Sequence, residues 1–335
     1  MNPFTLSRPG DAPYAGVMTF GRAPLALTPE QLGGADVAIL GAPCDEGVLN
    51  RPGARFGPRA IREADYLPPE RPHMLLGVDA LSELSVVDYG DAECMPTDLA
   101  FSHREIERRV GEVLEVGAIP VVLGGDHSIA HPTMTAVARH FGKKNVGVIH
   151  FDTHTDTADE ALFGVAMSHG TPMRRVITDG SIDGAHFIQV GIRGFWPGAE
   201  VFDWMRSAGM RWHTIYEVME RGISEVIDDV VAAARDFPEH IYLTVDVDVL
   251  DPAFAPGTGT PEPGGLTSRE LLYAVRNIAQ ELPIVGMEVV EVSPPYDPTG
   301  ITALVANRCV CEALSGIALR RSGRTAAPEL PEVVA

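Results

Sequence analysis

Three short patches of acids and histidines each end an apolar, strand-like run, and that pairing limits what this chain can fold into. The runs cover 119–123, 146–151 and 241–245. The patches are Gly-Gly-Asp-His ending at His127, Asp-Thr-His-Thr-Asp from Asp152 to Asp156, and Asp246-Val-Asp248. Short continuous apolar runs of this kind read as strands buried on both faces of a parallel sheet. Ionised carboxylates at the end of a buried strand are costly unless they are paired or bound to a cation. No Lys or Arg lies inside any of the patches. A metal cluster is the economical explanation, and it points to an enzyme.

The rest of the chain supports this frame. From Asp36 onward, strand-like and helix-like segments alternate. The expected strands are 36–42, 84–90, 119–124, 146–152, 186–191, 211–215, 241–246 and 284–290. The expected helices are 58–66, 101–117, 129–141, 199–208, 217–236, 267–281 and 301–319. This order predicts a three-layer α/β/α domain over 36–319, with a mainly parallel sheet covered on both faces. Residues 1–35, rich in Pro and Gly, form an expected arm, and 320–335 an expected frayed tail. Each patch falls at the carboxyl end of a strand, the edge where open α/β sheets bind ligands.

Composition narrows the function. The formal charge is −20, from 46 acids against 26 bases, which argues against nucleic acid and anionic membrane as partners. No apolar run on this reading approaches the roughly 20 residues that span a bilayer. The N-terminus lacks an apolar signal core. Four cysteines, Cys44, Cys94, Cys309 and Cys311, match no zinc pattern and suit a reducing cytosol. The expected location is therefore cytoplasmic.

Residues two apart in an extended segment point the same way. Asp152, His154 and Asp156 then share one side, as do Asp246 and Asp248, and His127 adds a second imidazole. This hard, mixed O/N set suits Mn²⁺ first, with Ni²⁺, Co²⁺ or Zn²⁺ as alternatives. Six ligands exceed what one open catalytic ion needs and fit two ions that share carboxylates. A lone Asp-x-His or Asp-x-Asp is more often a surface turn; the joint occurrence at three strand ends outweighs that. His131, His140, His150, His186 and His240 are assigned to packing or local hydrogen bonds.

Five segments together resemble the ureohydrolase (arginase and agmatinase) family, most closely its agmatinase-like members. They are Gly124-Gly125-Asp126-His127-Ser128, the stretch from Phe151 to Asp156, Val245-Asp246-Val247-Asp248, Ser168-His169-Gly170-Thr171-Pro172 and Val290-Glu291-Val292-Ser293-Pro294. The segment from Arg51 to Arg62 is similar to the same members. The resemblance implies an arginase-like fold and two ions per chain. His127, Asp152, Asp156 and Asp246 would hold one ion, and His154, Asp152, Asp246 and Asp248 the other. It also implies that Glu291 holds a guanidinium, that Asp156 accepts a proton, and that His169 shuttles one to the leaving amine. A homo-oligomer, trimeric or hexameric, is expected on the same ground.

The expected substrate is agmatine, cleaved to putrescine and urea. Ala158 stands where arginases carry Asn, which disfavours arginine, and Asp159 is a candidate partner for a cationic tail. Guanidinobutyrate or guanidinopropionate would need a partner for a carboxylate, and Arg174, Arg175 and Arg193 are near in sequence. Trp196 would wall a pocket short enough for free guanidine. Two rivals differ in kind. A metal-dependent deacetylase shares an Asp-x-His element, but His127 and Asp156 exceed its single-zinc set. A non-catalytic partner subunit would have no use for His169 and Glu291.

Overall fold

A computed structural model describes residue 12 and residues 15–67, 72–160 and 164–324. Eight strands form one sheet: β1 (Val37–Ala42), β2 (Val86–Asp91), β3 (Ile119–Gly124), β4 (Gly147–Phe151), β5 (Phe187–Ile192), β6 (Arg211–Thr214), β7 (Ile241–Asp246) and β8 (Ile284–Val290). Their order is β2-β1-β3-β8-β7-β4-β5-β6, and each neighbouring pair runs parallel. All eight expected strands are present, each within about two residues of its expected bounds.

Ten α-helices follow in chain order among the described residues: α1 (Gly57–Glu63), α2 (Ala80–Glu83), α3 (Leu99–Glu115), α4 (Ala130–Phe141), α5 (Pro172–Thr178), α6 (Glu200–Ala208), α7 (Ile215–Arg221), α8 (Ile223–Ala234), α9 (Ser268–Glu281) and α10 (Ile301–Ser322). Two hydrophobic clusters lie on either side of the sheet. One joins Ile61, Val230, Leu271 and Val310 to Val121, Leu243 and Val289, and the other joins Val110, Met134, Met173 and Met205 to Val122, Val148 and Tyr242. Strand alternation explains the split: Leu243 and Tyr242 are neighbours in sequence and face opposite layers.

Three differences from the sequence reading have local causes. The expected helix 217–236 is two helices, because Gly222 takes φ 82° and ψ 151° and breaks the run between α7 and α8. The short helices α2 and α5 carry too few turns to show a period. Helix α10 runs three residues past the expected boundary and stops at Gly323 in the left-handed conformation, a common helix ending. It is also long and apolar enough to cross a membrane, which corrects the sequence reading, but most of it is buried against α9 and the sheet. The described part of the arm lies on the body: Phe20 is buried, and Leu25 bridges to Asp88 of β2. The rest of the arm, and residues 325–335 of the tail, lie outside the described residues.

Candidate metal centre

Four adjacent strands, β3, β8, β7 and β4, bring the patches together. His127 follows β3, Glu291 follows β8, Asp246 ends β7 and Asp152 follows β4. The end of β3 needs glycine. A Cβ on Gly125 would sit 2.3 Å from Cys44 O, so the backbone can turn there only without a side chain. Asp126 then caps the short helix 127–129, accepting from Ser128 N at 2.8 Å, and it also takes Gly47 N at 2.8 Å. That second bond pins the loop after β1 over the site. Burial, then the charge of Glu291, pushes Asp126 up to about 7. The sequence reading gave Asp126 no role.

The six expected ligands fall into two overlapping groups. His127 Nδ1 lies 3.0 Å from Asp156 Oδ2, 3.1 Å from Asp152 Oδ2 and 3.3 Å from Asp246 Oδ2. His154 Nδ1 lies 3.1 Å from Asp248 Oδ2 and 3.5 Å from Asp152 Oδ1. Asp152 belongs to both groups and faces each through a different oxygen. All six side chains are buried or nearly so. Asp156 and Glu291 hold left-handed backbones, at φ 50° and 65°, a strained conformation for such residues that clusters at functional sites.

Electrostatics divide this set: burial works against a charged Asp152, but the histidines around it hold it well below the usual carboxylate range, while two of its neighbours are pushed up. Burial, and then the like charges of Asp248 and Asp152, push Asp246 well above the usual carboxylate range. Burial and Asp152 push Asp156 up to about 6. His127 Nδ1 is buried with no hydrogen-bond partner, although three carboxylate oxygens surround it. A buried imidazole nitrogen set among three carboxylates without a hydrogen bond marks a place suited to a cation. The donor set therefore fits divalent ions.

His169 and Glu291 complete the site. His169 Nδ1 is 2.9 Å from Glu291 Oε1, which also accepts from His127 N at 2.9 Å. Glu291 Oε2 is buried and has no hydrogen-bond partner. Burial would raise the pKa of Glu291, but the charge and hydrogen bond of His169, together with the His127 backbone N–H, hold the carboxylate low. Burial works against a charged His169 ring, yet Glu291 raises it to about 9, while Leu49 N–H, aimed at Nε2 from 3.2 Å, favours the neutral ring.

A cavity of about 310 Å³ reaches His169 and three of the ligands, lined by Leu49, Asn50, Arg51, His154, Asp156, His169, Trp196, Asp246, Thr260 and Glu262 among others, with Glu291 buried behind it. Trp196 packs on Gly170, where a Cβ would meet the indole at 2.3 Å, and its ring lies 5.9 Å from that of His154. Asp159 does not line the cavity; its carboxylate pairs with Arg175 at 2.9 Å and Arg174 at 3.3 Å. Arg193 binds the backbone oxygens of Asp248, Val249, Leu250 and Glu262 and so braces the wall. Arg51 lines the cavity although the sequence reading gave it no role. His150, assigned to local bonding, lies beside the ligands with Nε2 2.9 Å from Asp152 Oδ2, and burial lowers it to about 4.

Comparison with known proteins decides the family. The arginase family model matches residues 35–316. The chain belongs to the arginase family. It is 40% identical to the human mitochondrial guanidino acid hydrolase over 90% of this chain and 83% of that protein. It is 38% identical to an agmatinase of Chromobacterium violaceum over 90% of this chain and 88% of that protein. The solved proclavaminate amidinohydrolase of Streptomyces clavuligerus superposes with a TM-score of 0.85 at 38% identity, covering 92% of this chain and all of that one. This arginase-family chain is thus a hydrolase acting on C–N bonds, and its family uses a binuclear divalent metal centre.

Proposed function

We propose that this protein hydrolyses the guanidinium group of a short guanidino acid, releasing urea and an amine. One observation carries the reaction. The unpartnered His127 Nδ1, ringed by carboxylates, and the unpartnered Glu291 Oε2 belong to one buried cluster beneath a single cavity. His127, Asp152, Asp156 and Asp246 would hold one ion, and His154, Asp152, Asp248 and Asp246 the other, with Mn²⁺ preferred and Ni²⁺ the alternative. Two bound divalent ions supply a nucleophilic water at neutral pH and an orienting charge. Glu291 Oε2 accepts charge-assisted hydrogen bonds from the guanidinium. Asp156 takes the proton from the attacking water. His169 delivers a proton to the leaving amine, which cannot depart as an anion.

Arg51 supports an acidic tail. Its guanidinium lies over Tyr296 at 5.3 Å and has no carboxylate partner among the described residues, while it borders the cavity. An Arg without an acid at the rim of a cavity whose floor is acidic is suited to a carboxylate. Its loop is tied down by Asn50 Nδ2 to Gly259 O at 2.9 Å and by His169 N to Gly47 O at 3.0 Å. Agmatine is the second reading. Asp159 is engaged by two arginines and does not support it, but Glu262 borders the cavity and favours a cationic tail.

Urea release from 4-guanidinobutyrate, 3-guanidinopropionate and agmatine by the Mn²⁺-loaded enzyme tests both parts. The acids should exceed agmatine in kcat/KM. Arg51→Ala should cut kcat/KM for the acids by about 10–100-fold, mostly through KM, while agmatine changes far less. Agmatine preferred by both proteins would reject the acid reading. Silence with all three would reject the reaction.

A further inference from the structure

A second polar row crosses the sheet one step beneath the ligands. Gln189, His150, Thr244 and Glu288 are cross-strand partners on β5, β4, β7 and β8. All four are fully buried. Alternation puts them on the sheet face of Asp152 and Asp246, which lie two residues farther along β4 and β7. Polar side chains through the middle of a parallel sheet are costly unless each group is used.

Counting donors fixes the direction of each bond. Gln189 Nε2 is 2.7 Å from Thr155 O, which can only accept, so the amide nitrogen faces that way. The same nitrogen is 2.8 Å from His150 Nδ1, which must then accept. A neutral imidazole carries one N–H. His150 therefore bears it on Nε2 and donates to Asp152 Oδ2 at 2.9 Å. On the neighbouring strand, His127 Nε2 lies 2.9 Å from Thr244 Oγ1, while its Nδ1 faces the three carboxylates. Glu288 Oε2 takes the hydroxyls of Thr133 at 2.8 Å and Tyr242 at 2.9 Å. Its Oε1 is buried without a partner, beside Thr244 in the β7–β8 register. Thr244 can thus accept from His127 and turn its own hydrogen toward Glu288.

We propose that this row decides which nitrogen of each histidine carries the proton. Thr244, backed by Glu288, holds it on His127 Nε2 and leaves the Nδ1 lone pair for a metal ion. Gln189 holds His150 as a donor that aims Asp152, so His150 is not a ligand despite its place in the cluster. Thr244 and Gln189 are positioning residues. The inference rests on the two-metal reading.

The test is calorimetric titration of the metal-stripped full chain with MnCl₂. Thr244→Val keeps the shape and removes the hydroxyl. One of two Mn²⁺ sites should weaken by about 10–100-fold. Thr244→Ser should restore wild-type affinity. Thr244→Val binding both ions as tightly as wild type, or Thr244→Ser failing to rescue, would overturn the Thr244 part. Nitrogen NMR of the wild-type histidine rings reads the other half: a proton on His150 Nε2 supports it and one on Nδ1 overturns it. A wild-type protein that binds no Mn²⁺ would instead remove the metal reading itself.

Discussion

Two groups of carboxylates share one sheet, and their charges are met in opposite ways. At the β1–β2 edge, Asp88 receives Arg62 through Nε at 2.8 Å and Nη2 at 3.0 Å, together with Phe20 N at 2.7 Å and Gly90 N at 3.0 Å. Arg62 Nη1 reaches Asp91 at 2.7 Å. Burial works against the charge of Arg62, but the two aspartates more than offset it and raise its pKa. Every charge there has its partner within the chain, and the result ties the N-terminal segment to α1 and β2. At the centre of the sheet, four aspartates and Glu291 form ion pairs with histidines but with no Lys or Arg among the described residues, and burial pushes Asp246 and Asp156 toward protonation. The first group is complete as folded. The second would be completed by divalent ions of the kind its family uses, so that one group serves the fold and the other would serve chemistry.

Changes that remove one partner from either group test this contrast. The largest effect is expected for Asp246→Ala. It takes away a carboxylate that faces His127, and activity should fall by at least about a thousandfold with loss of bound metal. Metal analysis alongside urea release checks this; two ions and normal turnover would break the contrast. Arg62→Leu should next destabilise the fold by about 3–5 kcal/mol, because Asp88 is left buried and unpaired. Denaturant unfolding measures the loss, and Arg62→Leu combined with Asp88→Leu should recover much of it. A loss well below 1 kcal/mol in the single variant would show the corner to be dispensable.

The smallest effect concerns a buried base outside both groups. His103 Nε2 lies 3.1 Å from Ser128 Oγ, and burial, then the nearby His131, lowers it to about 4. The folded protein keeps this ring neutral. As pH falls from about 6.5 toward 4, the unfolded chain takes up a proton that the folded one refuses, so stability is present above that window and is lost within it. The loss should amount to about 2–3 kcal/mol. Unfolding curves of wild type and His103→Gln over that range should diverge; parallel curves would place the titration elsewhere.

The parts of this molecule legible in sequence are those with a local signature. Apolar runs between Gly and Pro gave the strands, because a strand buried on both faces must be apolar along its length. The ligands were legible because each sits at the end of such a run. What depends on register or on distant contacts was not. The pairing of Thr244 with Glu288 follows from the β7–β8 alignment, which no single segment encodes. Arg51 joins the cavity through a loop that Asp126 pins from 79 residues away. Asp159 had the charge expected for a cationic tail, but the turn into α5 delivers it to Arg174 and Arg175. The split between α7 and α8 turned on one glycine conformation inside a helix-like pattern.

The most direct measurement is urea production from 4-guanidinobutyrate as Mn²⁺ is added stepwise to the metal-stripped protein. Two cooperating ions predict little activity at the first equivalent and a plateau at the second. A plateau at one equivalent, or no urea at any loading, would contradict the two-metal account of the acid-rich sheet edge.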